Sequence, residues 1–238
     1  AMNSFIDKLN EHEKEMYRRQ IDCSKEDNDK KEYIVSPLND LIRFNPFQYE
    51  PYYKLTKQSE YPKTIYIADE VGAGKTIETG IILTELIYSR EYNIRTDVCL
   101  IICPNLLCRK WRDTLKALFG LDASIVYSVK DIHIGINIVS FDTISGSTGE
   151  IDLKTSIFIV DEVHNASGDR FNKVKTLRDS VDLKKGYVIL LSATPLSGDK
   201  KDCAKQIQLL KSDMENPDEF FSTESIFLCK NKKIVMRY

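Results

Sequence analysis

The sequence predicts a three-layer α/β fold, a mostly parallel central sheet with helices on both faces. Three observations carry that expectation. Short, almost wholly apolar runs recur along the chain, as expected of strands buried on both faces. Segments of helical period alternate with them, the arrangement that sets neighbouring strands parallel. Every candidate for chemistry falls directly after such a run, and ligands in sheets of this kind bind beyond the carboxyl ends of the strands.

Residues 1–40 read as a helical N-terminal extension and 41–238 as the α/β domain. From Phe5 to Lys31 the chain is rich in Glu, Lys, Asp and Arg, with Phe5, Ile6, Leu9, Met16, Tyr17 and Ile21 at loosely helical spacing, which reads as a solvated helix without assigned function. Ala1 reads as a cloning remnant, followed by a native or vector methionine at Met2. Prolines and aromatic residues then cluster over Arg43–Leu55 before a short helical stretch. Within that cluster Gln48 has two readings. Its amide can both donate and accept, which suits the edge of an adenine, or it is a surface residue beside an aromatic patch.

The run Thr64–Ala68 predicts a strand, and Lys75–Ile87 a helix, joined by Asp69-Glu70-Val71-Gly72-Ala73-Gly74-Lys75-Thr76. Next come a strand over Val98–Cys103, a helix near Leu106–Phe119, and strands over Ser124–Tyr127 and Ile136–Ser140. Gly146–Gly149 and Asn165–Asp169 read as short polar loops. Between them Ser156–Val160 is a strand ending in Asp161-Glu162-Val163-His164, and Tyr187–Leu191 is a strand ending in Ser192-Ala193-Thr194-Pro195. Lys200–Leu210 reads as a helix, Asn216–Phe221 opens a second, and the basic stretch Cys229–Tyr238 has the character of a strand.

A glycine-rich turn between a strand and a helix is built for phosphate. Gly72 and Gly74 permit positive φ, so consecutive backbone N–H groups can point inward beside the positive end of the helix dipole. Asp69, Glu70, Val71, Gly72, Ala73, Gly74, Lys75 and Thr76 are therefore the expected nucleotide-binding residues, with Gln48. Lys75 would reach the β- and γ-phosphates, and the Thr76 hydroxyl would ligate Mg2+. At the second strand tip Asp161 would hold Mg2+ and Glu162 would orient and deprotonate the attacking water, with His164 sensing that site. Lys75, Asp161 and Glu162 are the candidate catalytic residues, and ATP with Mg2+ the expected cofactors. One feature departs from the general phosphate-loop pattern, which would place glycine where this chain has Asp69.

Composition narrows the partners less. With 34 Lys and Arg against 36 Asp and Glu, the formal charge is −2, so any grip on nucleic acid must come from a local patch or another domain. Six cysteines include no CxxC pair, and Cys99, Cys103 and Cys108 read as small hydrophobes rather than metal ligands. No stretch of about eighteen apolar residues occurs, and the N-terminus is charged, so a cytoplasmic location away from membranes is expected. Trp111, on an amphipathic helix, reads as core rather than as a base-stacking platform.

Taken in order, these motifs resemble helicase superfamily two, and in wording its Swi/Snf-like branch of DNA-dependent ATPase motors. They are similar to those of the bacterial RNA-polymerase-recycling ATPase. The residues that carry the resemblance are Ile67–Gly80, Leu100–Pro104 with Trp111, Val139–Thr143, the DEAH-type box Asp161–His164, and Leu191–Pro195. Asp69 belongs to the pattern of that branch, which turns the departure into support. The resemblance implies a RecA-like P-loop NTPase lobe. It implies that Pro104, Ser140, Asp142 and Thr143 face nucleic acid, most often double-stranded DNA, and that Ser192 and Thr194 couple hydrolysis to movement against a second RecA-like lobe. That second lobe has no room in this chain. Translocation on duplex DNA with remodelling of protein–DNA complexes is the leading expectation; a strand-separating helicase and a nucleotide-dependent binding switch are the alternatives.

Overall fold

The structure, a computed structural model, describes residues 48–69, 72–147, 154–194, 200–210 and 227–228. The expected N-terminal extension, Glu70, Val71, Pro195, the helix expected near Asn216 and the closing stretch 229–238 lie outside the described residues.

In chain order the elements are α1 (Glu50–Thr56), β1 (Lys63–Ile67), α2 (Lys75–Tyr88), β2 (Val98–Cys103), α3 (Asn105–Phe119), β3 (Ala123–Val126), β4 (Gly135–Ser140), α4 (Phe141–Gly146), β5 (Thr155–Val160), α5 (Asp169–Asp179), β6 (Tyr187–Leu191), α6 (Lys200–Leu210) and β7 (Phe227–Leu228). They build a seven-stranded sheet in the order β3-β4-β2-β5-β6-β1-β7. Every pairing within it is parallel. No helix among the described residues is long and apolar enough to cross a membrane.

Strand periodicity divides the core in two. Ile65, Ile67, Ile101, Cys103, Ile157, Ile159, Ile189 and Leu191 face α1, α2 and α3, where Leu55, Ile82, Leu86, Trp111 and Leu115 meet them. Tyr66, Leu100, Ile102, Phe158, Val160, Val188 and Leu190 face the other layer, with Phe141, Ile144, Phe171, Val174, Leu177 and Ile207 from α4, α5 and α6. The three layers expected from the sequence are thus present, and the inner strands are apolar throughout because both faces are covered.

Besides the short β7, two elements were not specified by the sequence reading. The loop expected over Asn165–Asp169 ends in α5, whose Phe171, Val174, Leu177 and Arg178 are buried at helical spacing. The buried Arg178 ties α5 to α6 by donating to the carbonyls of Leu209 and Leu210 at 2.9 and 2.8 Å. These carbonyls, at the end of α6, have no intrahelical donor, so a cation there is doubly favourable. α4 begins directly after β4 because the Ser140 hydroxyl caps it, accepting from Thr143 N–H at 3.0 Å.

Gly80 fixes how closely α2 and α3 pack. A Cβ at this position would lie 2.2 Å from Phe119 Cε2, inside the ring's van der Waals envelope. Gly80→Val is therefore expected to destabilise the fold by about 1–3 kcal/mol, the usual cost of forcing extra carbon into a packed contact. Urea unfolding checks this, and a midpoint equal to wild type would refute the close approach.

Candidate functional site

Strand order assembles the site. β6 lies between β1 and β5, so the tips of β1 and β5 are separated by two strand spacings, roughly 10 Å, with the end of β6 between them. The ladder continues past the strands: Ser192 N–H donates to Ile67 O at 3.1 Å, and Asp161 N–H donates to Ile102 O at 2.8 Å. The glycine loop, the acidic tetrad and the Ser-Ala-Thr segment, far apart in sequence, become neighbours on one rim.

After β1, Gly72 and Gly74 hold φ of 83° and 106°, and Gly74 is the N-cap of α2. Gly74 O accepts from the N–H groups of Ile77 and Glu78 at 2.7 and 3.0 Å, which starts the helix without a side-chain cap. Lys75 folds back over the loop, its Nζ donating to Asp69 O at 2.7 Å. Asp69 is fully buried, Ala73 is buried, and Thr76 is partly exposed. Gln48 is also buried, and a Cβ on Gly74 would fall 2.6 Å from its Nε2. Its amide thus packs directly on the loop rather than on the open surface.

At the tip of β5 the side chain of Asp161 continues the strand alternation onto the α3 side of the sheet. Its Oδ1 accepts from Glu162 N–H at 2.9 Å and its Oδ2 from Trp111 Nε1–H at 2.8 Å. Burial pushes the Asp161 carboxyl above the usual carboxylate range, against the opposing pull of the Trp111 hydrogen bond and the Lys75 charge. Glu162 sits at φ 51°, a left-handed conformation that a non-glycine residue adopts at a cost of about 1–3 kcal/mol. That turn ends the regular strand at β5, and the Glu162 carboxylate lies 3.4 Å from His164 Nδ1.

The expected coupling residues converge. His164 Nδ1 lies 3.4 Å from Glu162 Oε2 and 3.4 Å from Ser192 Oγ. Ser192 Oγ in turn accepts from Thr194 N–H at 3.2 Å. A continuous polar path therefore runs from the tip of β5 to the tip of β6.

The residues expected to face nucleic acid sit on the same rim but do not form one surface. Pro104 is the N-cap of α3 and half-buried. Ser140 is only 5% exposed and its hydroxyl lies 2.9 Å from that of Thr143, so it shapes the turn rather than facing outward. Asp142 is exposed and paired with Arg170 at 3.2 Å. Thr143 and Asp142 border an open cleft of about 370 Å³ together with Tyr127, Ser128, Lys130, Gly146 and Ser147. The sequence reading missed this cleft, whose Tyr127–Lys130 side comes from the turn that follows β3. It also missed the polar role of Trp111: the ring is core, as expected, but nothing in its helical spacing pointed to a partner fifty residues away.

Cys99, Cys103 and Cys108 are free and buried, as expected of small hydrophobes. Among the described residues, no group of three or more His, Cys, Asp or Glu side chains is placed to hold a metal ion.

Comparison with known proteins agrees with this architecture. The chain is 31% identical over 155 residues to an uncharacterized ATP-dependent helicase, YqhH, of Bacillus subtilis, covering 61% of this chain and 26% of that protein. It is 28% identical over 177 residues to the RNA polymerase-associated protein RapA of Actinobacillus succinogenes, covering 66% of this chain and 18% of RapA. Among solved structures, the Sulfolobus solfataricus SWI2/SNF2 ATPase core in complex with dsDNA superimposes with a TM-score of 0.63 at 18% identity, covering 84% of this chain and 47% of that one. At that identity the likeness speaks for the fold. The chain spans about a quarter of YqhH or less than a fifth of RapA. The SNF2-related domain family matches residues 53–236, and on that match, with the rim geometry just described, the chain belongs to that family.

Proposed function

We propose that this chain is the first RecA-like lobe, over residues 41–238, of an ATP-hydrolysing motor that moves along double-stranded DNA and displaces or remodels protein bound there. The observation that carries the reading is the polar path from Glu162 through His164 to Ser192, which joins the acidic strand tip to the next strand on the rim that also bears Lys75. A site that only held nucleotide would not need that path. ATP use is in keeping with the family, and the dsDNA bound to the Sulfolobus core supports duplex DNA as the track.

Mg2+ fits the residues present. Thr76 and Asp161 offer hard oxygen donors, and the lack of a dedicated cage among the described residues suits an ion that keeps water and phosphate oxygens as most of its ligands. When bound, Mg2+ neutralises charge on the phosphate oxygens. In the proposed mechanism the backbone N–H groups of the Gly72–Gly74 loop bind the phosphates, and Lys75 exchanges Asp69 O for a phosphate oxygen. Glu162 aligns and accepts a proton from the attacking water. His164 and Ser192, with Thr194, pass the change at Glu162 to the β6 tip, and from there to a second lobe. Pro104, Asp142 and Thr143 are the residues that would face the track.

Three outcomes are expected. Lys75→Ala lowers phosphate release by about 10²–10³-fold, the scale of losing one charge-stabilising donor. Glu162→Gln abolishes turnover yet retains ATP binding, read by equilibrium binding of a fluorescent nucleotide, because the carboxylate acts on water and not on the phosphates. The 238-residue chain alone hydrolyses ATP far more slowly than a protein that includes a second lobe, since an arginine supplied from outside is typically worth about 10³–10⁵ in rate.

The deciding experiment is phosphate release by the full-length protein with duplex DNA, single-stranded DNA or RNA. Duplex-stimulated, Lys75-dependent turnover supports the motor. Preference for a single strand points to a strand-separating helicase, and no turnover with any nucleic acid points to a binding switch.

A further inference from the structure

Trp111 is the chain's single tryptophan, and burial explains its ring but not the placement of its polar atom. An indole has one donor and no acceptor. Trp111 directs that donor to Asp161 Oδ2 at 2.8 Å, while Asp161 Oδ1 accepts from Glu162 N–H at 2.9 Å. Trp111 is 1% exposed and Asp161 6%, so water competes little for either oxygen.

The terminal torsion of a carboxylate is broad, and one hydrogen bond leaves the plane free to turn about it. Two donors, from a helix and from the backbone of the next residue, fix the plane. α3 itself is held in place by Leu115, Cys108 and Trp111 in the core and by the approach of Phe119 to Gly80. The indole is therefore a rigid support, not a side chain that follows the carboxylate. The strand alternation that turns Asp161 toward α3 makes the meeting possible.

We propose that Trp111 is a positioning residue: its indole N–H sets the Asp161 carboxylate in the orientation that binds the magnesium ion of the nucleotide complex. The proposal rests on the ATP reading above. Partners that orient a metal ligand from outside the coordination sphere typically contribute 10- to 100-fold in metal affinity, and the lower end is expected here because Oδ1 keeps its own donor.

Trp111→Phe tests this, since it keeps an aromatic ring in the core and removes the donor. Binding of a fluorescent ATP analogue is titrated with Mg2+ in the 238-residue protein. The Mg2+ concentration at half-saturation is expected to rise about 10-fold, while binding of the same nucleotide in EDTA stays unchanged. Protein-bound Mn2+, counted by electron paramagnetic resonance in place of Mg2+, should weaken in parallel. Leu177→Ala, an apolar core change in the opposite layer, is the packing control and should leave the Mg2+ dependence in place. Unaltered Mg2+ dependence in Trp111→Phe, or an equal shift in Leu177→Ala, overturns the proposal.

If Trp111→Phe fails to fold, the wild-type protein still decides. Emission from the single tryptophan should change as Mg2+ is added to the nucleotide-bound protein, and Asp161→Asn should remove that change. A silent tryptophan during Mg2+-dependent nucleotide binding overturns the proposal. Absence of nucleotide binding by the wild type would instead refute the ATP reading, so the two failures are distinguishable.

Discussion

The parallel ladder of β1, β6 and β5 is the constraint on which the site depends. Hydrogen bonding in register sets Ile67 beside Leu191 and Val160 beside Leu190, the β1–β6 ladder extends to Ser192, and β2 on the far side of β5 receives Asp161 N–H at Ile102 O. Each of the three strand tips then contributes one part: the glycine loop, the serine and threonine, and the two carboxylates. Because strand spacing is set by backbone hydrogen bonds, the distance across the rim does not depend on any one side chain. A register slip in β6 would move Ser192 away from His164 and break the polar path while leaving both flanking motifs intact.

Around that ladder, each face of the sheet has a different task. The layer of α1, α2 and α3 supports the candidate site: α2 starts at the glycine loop, and α3 carries the indole that meets Asp161. Gly80 lets these two helices approach, so a residue in the sequence motif after the loop acts through packing rather than by touching a ligand. The opposite layer is stitched mainly by apolar contact and by the Arg178 bonds to the end of α6. Local strain appears where function is proposed, at Glu162, whose left-handed backbone redirects the chain at the end of β5. The surrounding ladder holds that conformation in place.

Much of the fold and of the candidate site was legible in the residues. Fully apolar strand runs are unambiguous when a sheet is covered on both faces, and a glycine loop between a strand and a helix is a backbone pattern suited to an anion. α5 was less legible because its buried positions are spread among charged residues, and its first turn follows a polar loop. The nucleic-acid assignments were the least legible, since a motif names residues without saying which way they point. Ser140 turns inward to cap a helix, and Asp142 is engaged by Arg170 from α5.

The sequence by itself determined the types of the apolar strands and of α2 and α3, the order of the motifs and the chemistry each could offer, because periodicity and residue type are local properties. Tertiary structure alone decided which parts meet. Strand order put β6 between β1 and β5, and so made Ser192 a neighbour of His164. Side-chain alternation turned Asp161 toward α3, and so gave Trp111 a partner fifty positions away. Those meetings depend on long-range backbone pairing, which no window of residues encodes.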